Sequence, residues 1–161
     1  MNIWANFFIA AAGASASLAG LVFVALSVNI SRIIQIPPLP SRAGATIATL
    51  ILILVCSMAV LIPQPAFVLG IEILALGIGG WLMKARAAYR AFVDGAKIQR
   101  PAFEAVVETV LGQIQVLPFL AAGILVIIGS DSGFYWIAGG VIAAFVFSVL
   151  NAWILLVEIL R

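Results

Sequence analysis

All eight basic residues of this chain fall on one side of a membrane if its five long apolar stretches each cross once. No other feature narrows the fold so far, because it sets class, span number and orientation together. A helix needs about 20 apolar residues to cross a hydrocarbon core of about 30 Å. The 161 residues are 65% hydrophobic and 9% charged, too little charge to cover a water-exposed surface of this size. Nearly the whole length divides into spanning pieces, which gives a single transmembrane domain over 1–161 and an all-α, polytopic helical bundle.

The expected spans are 3–31, 43–62, 66–83, 102–128 and 134–158. No Lys or Arg precedes Arg32, and the first apolar run is too long for a cleaved leader, so it is expected to be retained. Gln35–Arg42 holds Pro37, Pro38 and Pro40 and is expected to be a non-helical loop. Pro63-Gln64-Pro65 is expected to turn tightly between spans 2 and 3. Residues 84–101 form a basic cytoplasmic loop, in which helix 3 runs on beyond the membrane and turns at Asp94-Gly95. Pro118 is expected to kink span 4, and Gly129–Gly133 to be a short loop.

Arg32 and Arg42 lie in loop 1, five bases in loop 3, and Arg161 at the C-terminus, while loops 2 and 4 carry none. With five spans those three places share a side. The positive-inside rule makes that side cytoplasmic and the N-terminus external. Four or six spans break the agreement. Trp4, Tyr135 and Trp136 then fall near the outer interface and Trp81 near the inner one. The isoelectric point of about 9.1 does not point to nucleic acid, because the bases flank spans and form no solvated patch.

In lipid, close backbone approach drives helix association, and small residues permit it. Span 1 carries Ala12, Ala16 and Gly20 with Gly13 and Ser17 beside them; span 3 carries Gly70, Gly77 and Gly80; span 5 carries Gly139, Gly140, Ala143, Ala144 and Ser148. These stripes fit either tight packing inside one chain or a face that joins protomers into a homo-oligomer.

Intramembrane polar residues are the candidate functional groups. Glu72 is the seventh residue of span 3, roughly 9 Å deep by helix rise. No base of this chain lies at its depth, and Asn6, Ser15, Ser17, Ser57 and Tyr135 are the expected partners. It reads either as a carboxylate handling cations or protons, or as a neutral, hydrogen-bonded acid or one reaching the headgroups. Glu104, Glu108 and Gln115 line one face of span 4, with Gly112 between them and Thr109 and Gln113 at the border. That stripe suits a water-filled path, while Glu104 also suits a helix N-terminus and Glu108 an ion pair with the loop bases. Asn151 shares a side of span 5 with Ser148 and Glu158, and Asn29 is expected to bond across helices. Lys84, Arg86, Arg90, Lys97 and Arg100 set topology and are candidate contacts for anionic lipid.

The chain has no histidine, and its one cysteine, Cys56, lies in an apolar run, so neither a metal site nor an internal disulfide is expected. It lacks phosphate-loop, nucleophile-elbow and zinc-protease motifs, and both lysines fall in the basic loop, away from any serine at membrane depth. An enzyme is therefore disfavoured, and no cofactor is expected. No inverted repeat is visible.

The segment from Gly13 to Ile30, GASASLAGLVFVALSVNI, resembles the start of small bacterial multipass inner-membrane proteins without an assigned function. The resemblance covers span 1. It implies a bacterial cytoplasmic membrane and nothing about chemistry. The expected function is a homo-oligomeric channel or permeation protein for cations or protons. The alternatives are a non-catalytic protein that binds another membrane protein, or a lipid-binding protein.

Overall fold

The structure, a computed structural model, describes residues 3–35, 38–98, 110 and 112–160. The protein is all-helical, about 90% helix, with no strand among the described residues. Six helices are described: α1 (Ala5–Val28), α2 (Ile30–Gln35), α3 (Pro38–Leu61), α4 (Ala66–Ile98), α5 (Leu117–Ile127) and α6 (Ser132–Leu160). Ala5–Val28, Arg42–Leu61, Ala66–Arg86 and Ser132–Val157 are each long and apolar enough to cross a membrane, and Gly112–Ile127 is a shorter apolar helix. Of the expected span over 102–128, residues 102–109 and 111 lie outside the described set.

Three boundaries differ from the sequence expectation. The first span does not run unbroken to 31. α1 stops at Val28, where the Asn29 side-chain amide donates to the Ala25 carbonyl at 2.9 Å, and α2 restarts at Ile30 with Arg32 inside it. A side chain that bonds its own backbone competes with helix continuation, and Asn29 does this instead of bonding across helices.

From Pro38 on, the proline segment is helical, while Ile36 and Pro37 lie outside the described residues. α3 begins at Pro38 and takes in Pro40. A proline in the first turn gives up an N–H that has no intrahelical partner anyway, and its fixed φ already suits the helix. The third difference lies in the basic segment, where α4 runs through Asp94 and Gly95 to Ile98 as one 33-residue helix. A single interior glycine costs only about 1 kcal/mol. At 1.5 Å per residue the helix measures about 50 Å, longer than a hydrocarbon core.

The chain forms two compact units, Met1–Pro63 with Val141–Arg161, and Gln64–Gly140. In the first, α1 packs along α3. Its buried stripe is Phe8, Ser15 and Val22, a repeat of seven that keeps one helix face inward. α3 buries Thr46, Thr49, Leu50, Ile53, Cys56, Ser57 and Val60. Ile33 of α2, Leu39 and Ala43 of α3 and Leu155 of α6 form one apolar cluster, with Leu26 against it. Prolines 38 and 40 thus frame a buried leucine, which gives the segment an apolar anchor the loop expectation lacked.

In the second unit α4 packs along α5. A Cβ built on Gly70 would lie 2.6 Å from Ile127 Cγ1 and 2.8 Å from its backbone nitrogen; one on Gly123 would lie 2.8 Å from both Cα and N of Leu74. One on Gly77 would lie 2.9 Å from a Leu120 methyl. Here backbone meets backbone, and only glycine leaves room. α5 ends in a Schellman motif: Gly129 has φ +74°, its N–H donates to Val126 O at 3.0 Å, and Ser130 N–H donates to Leu125 O at 2.9 Å. The expected loop at this place is therefore a helix cap followed by α6, whose Gly133 and Gly140 meet Val126 and the Pro118–Phe119 pair of α5. Pro118 sits in the first turn of α5, just after the helix breaks at Gln115–Val116, so the expected kink is an interruption.

Candidate functional site: polar pairs on one apolar helix

α4 carries two ionisable side chains within its apolar part, and each meets an amide. Near its start, Gln64 Nε2 donates to Glu72 Oε2 at 2.7 Å. Gln64 belongs to the Pro63-Gln64-Pro65 segment, and Glu72 is half-buried. Of the expected partners, Ser15 donates to its own Ala12 carbonyl at 3.0 Å, Asn6, Ser17 and Tyr135 are exposed, and Ser57 is buried with no hydrogen-bond partner among the described residues. The expected partners lie at the depth of the Glu72 Cα. Helical side chains lean toward the N-terminus, so the carboxylate reaches back toward the turn and lies shallower than its backbone.

The second pair joins Lys84 Nζ to Gln115 Oε1 at 3.2 Å. Gln115 is only 4% exposed, and the Lys84 stem passes Gly112, whose absent Cβ would sit 3.6 Å from Lys84 Cδ. Lys84 is thus not the loop residue facing lipid headgroups that the sequence suggested. The reason is periodicity: Gly70, Gly77 and Lys84 are spaced by seven, so the stripe that brings glycines against α5 carries Lys84 to the same face. The signal was present in the sequence, masked by the basic residues that follow. Beside the pair, Gln113 Oε1 is buried with no hydrogen-bond partner among the described residues.

The remaining candidates divide. Gly70 and Gly77 are interface glycines, while Gly80 is half-buried. Gly13 and Gly20 have nothing within 4 Å of a built Cβ, and Ser17 is exposed, so the small stripe of α1 is not its packing face within its own unit. Phe8, Ser15 and Val22 bury instead. Asn151 is exposed whereas Ser148 is 1% exposed, so the two do not share a functional face. Ser148 Oγ has no hydrogen-bond partner among the described residues. Arg86 is exposed. Glu104, Glu108 and Arg100 lie outside the described residues, as do the side chains of Arg90, Lys97 and Glu158.

The architecture and these polar pairs define a class: an all-helical, membrane-embedded protein with ionisable groups set into one of its spans. Comparison with protein-family models, curated proteins and solved structures finds no match to the chain.

Proposed function

We propose that the chain is a five-span protein of a bacterial cytoplasmic membrane, N-terminus outside and C-terminus inside, that works as a homo-oligomeric permeation protein for protons or small cations. The observation that carries this reading is Glu72, a half-buried carboxylate in an apolar span, held by the Gln64 amide. Ionisable groups inside spans are costly and mark pathways by default. The lean of Glu72 toward the turn suits cation capture at an entrance better than a relay at the bilayer centre. Backbone contact at Gly77 and Gly123 closes the α4–α5 seam, so the path does not run down it. Copies of the chain supply the other wall. Flux through proteoliposomes of the purified protein, with Glu72→Gln in parallel, tests this. Lower cation flux or altered selectivity is expected in the mutant; unchanged flux and selectivity remove Glu72 from the pathway.

A second reading rests on α1. Gly13 and Gly20 have nothing within 4 Å, on a helix whose opposite face is packed. Such a face suits an unrelated membrane protein as well as a copy. In this reading a mild-detergent pull-down recovers a stoichiometric partner that Gly20→Leu loses. Recovery of the chain alone, as an oligomer that Gly20→Leu dissociates, sinks it and supports self-assembly.

A further inference from the structure

The seam between α4 and α5 changes character along its length. At Gly70, Leu74 and Gly77 it is closed by close contact with Ile127, Gly123 and Leu120. Further along α4 it turns polar. Lys84 Nζ donates to Gln115 Oε1 at 3.2 Å, Gly112 lies against the Lys84 stem, and Gln113 Oε1 is buried with no hydrogen-bond partner among the described residues. These groups gather where the helix is interrupted at Gln115–Val116. From there α5 runs 11 residues to Ile127, about 16 Å, so the interruption lies roughly half a hydrocarbon core from that end. Helical side chains lean toward the N-terminus, so the Lys84 amine reaches back into its span and not out to the headgroups.

Donors and acceptors do not balance at this place. An ammonium carries three N–H donors, and Gln115 takes one of those on Lys84. Gln113 holds out an acceptor that no described group meets. A guest that serves both sides must accept from nitrogen and donate to a carbonyl, and water does both. An anion alone leaves the carbonyl unmet, and a cation is repelled by the ammonium. A charge set into a span faces protein or a wet cavity, and irregular backbone at membrane depth sits in the same surroundings. We propose that this end of the seam is a water-filled inlet, running from the Arg86 end of α4 to the interruption, and that Lys84 lets small anions and neutral solutes into it while holding cations out. The inlet is blind, because the seam closes at Gly77 and Leu120. The proposal rests on the membrane reading of the helices. It is separate from the cation entrance at Glu72, which lies at the other end of the apolar part of α4.

The test is cysteine accessibility. Gln113→Cys is made together with Cys56→Ala, which leaves one thiol in the chain. Gly112→Cys, where a Cβ meets the Lys84 stem at 3.6 Å, serves if that variant does not fold. Vesicles opened by freeze–thaw are treated with an anionic or a cationic methanethiosulfonate, and each rate is divided by the rate with a free thiol in solution. The anionic reagent is expected to be favoured about tenfold, the effect of one unit charge a few ångström away in water. Lys84→Gln removes the charge and keeps a donor for Gln115, and it is expected to bring the ratio close to one. High salt on the Lys84 chain is expected to do the same, because at 1 M the screening length falls to about 3 Å. Leu120→Cys, at the closed part of the seam, is expected to react with neither reagent. No reaction beside Lys84 with either reagent, equal normalised rates in the Lys84 chain, or a ratio that neither Lys84→Gln nor salt alters would each overturn the proposal. Because the readout is thiol modification, a chain that conducts nothing still decides it, and a failure of Glu72 as a cation entrance leaves it standing.

Discussion

In the unit Gln64–Gly140 five glycines sit where helices touch, while Gly79, Gly129 and Gly139 do not; in Met1–Pro63 Gly13, Gly20 and Gly44 have no such contact. Gly70, Gly77, Gly123, Gly133 and Gly140 each meet a neighbouring helix within 3.1 Å of a built Cβ; Gly13, Gly20 and Gly44 meet nothing within 4 Å. Polar groups divide the same way. Lys84 of α4 bonds Gln115 in the turn that precedes α5, whereas Thr46 and Thr49 spend their hydroxyls on the Arg42 and Ala45 carbonyls of their own helix. A small-residue stripe is therefore a permission and not an instruction. What it does depends on whether a neighbour arrives with matching shape, and in lipid no hydrophobic penalty forces one to arrive.

The sharpest way to break this comparison is to fill one glycine from each unit. Gly123→Val puts methyl groups into the Leu74 backbone and is expected to cost about 1–3 kcal/mol, as overpacking does. Gly20→Ala meets open space and is expected to lose nothing, with a gain of up to about 1 kcal/mol from helix propensity. Unfolding in mixed micelles measures both. Equal losses would show that the α1 stripe is packed after all.

A comparable effect sharpens the polar half of the contrast. Lys84→Met leaves the buried Gln115 carbonyl oxygen without this donor and is expected to cost about 1–3 kcal/mol. Gln115→Leu is expected to cost a similar amount, and the double variant less than the sum, since two apolar side chains no longer strand a polar partner. Thr49→Val, which removes only an intrahelical bond, is expected to stay within about 1 kcal/mol. Strict additivity at Lys84 and Gln115 would mean that the pair is not coupled.

Much of the fold was legible from hydropathy because spanning length is a one-dimensional constraint. The four long apolar helices begin and end within a few residues of the expected spans. Local chemistry moved the ends: Asn29 folding back on Ala25, prolines accepted into the first turn of α3, and Gly95 too weak a breaker to stop α4. The candidate site was legible in its acid and not in its partners. Glu72 stands out because charge is rare in a span, but Gln64 lies outside the apolar span, in the turn before it. Lys84 was hidden because a lysine at a span boundary reads as surface until its seven-residue relation to Gly70 and Gly77 is taken with α5 in place.

The sequence by itself determined that this chain is helical and built for lipid, since composition and run length decide whether backbone groups must be satisfied within each segment. The tertiary structure alone decided which faces are used. Glycines at 70, 77 and 123 close a seam, those at 13 and 20 do not, and Lys84 turns inward to an amide. Those outcomes depend on which helix lies opposite, and that is a property of pairs of surfaces that no single stretch of sequence contains.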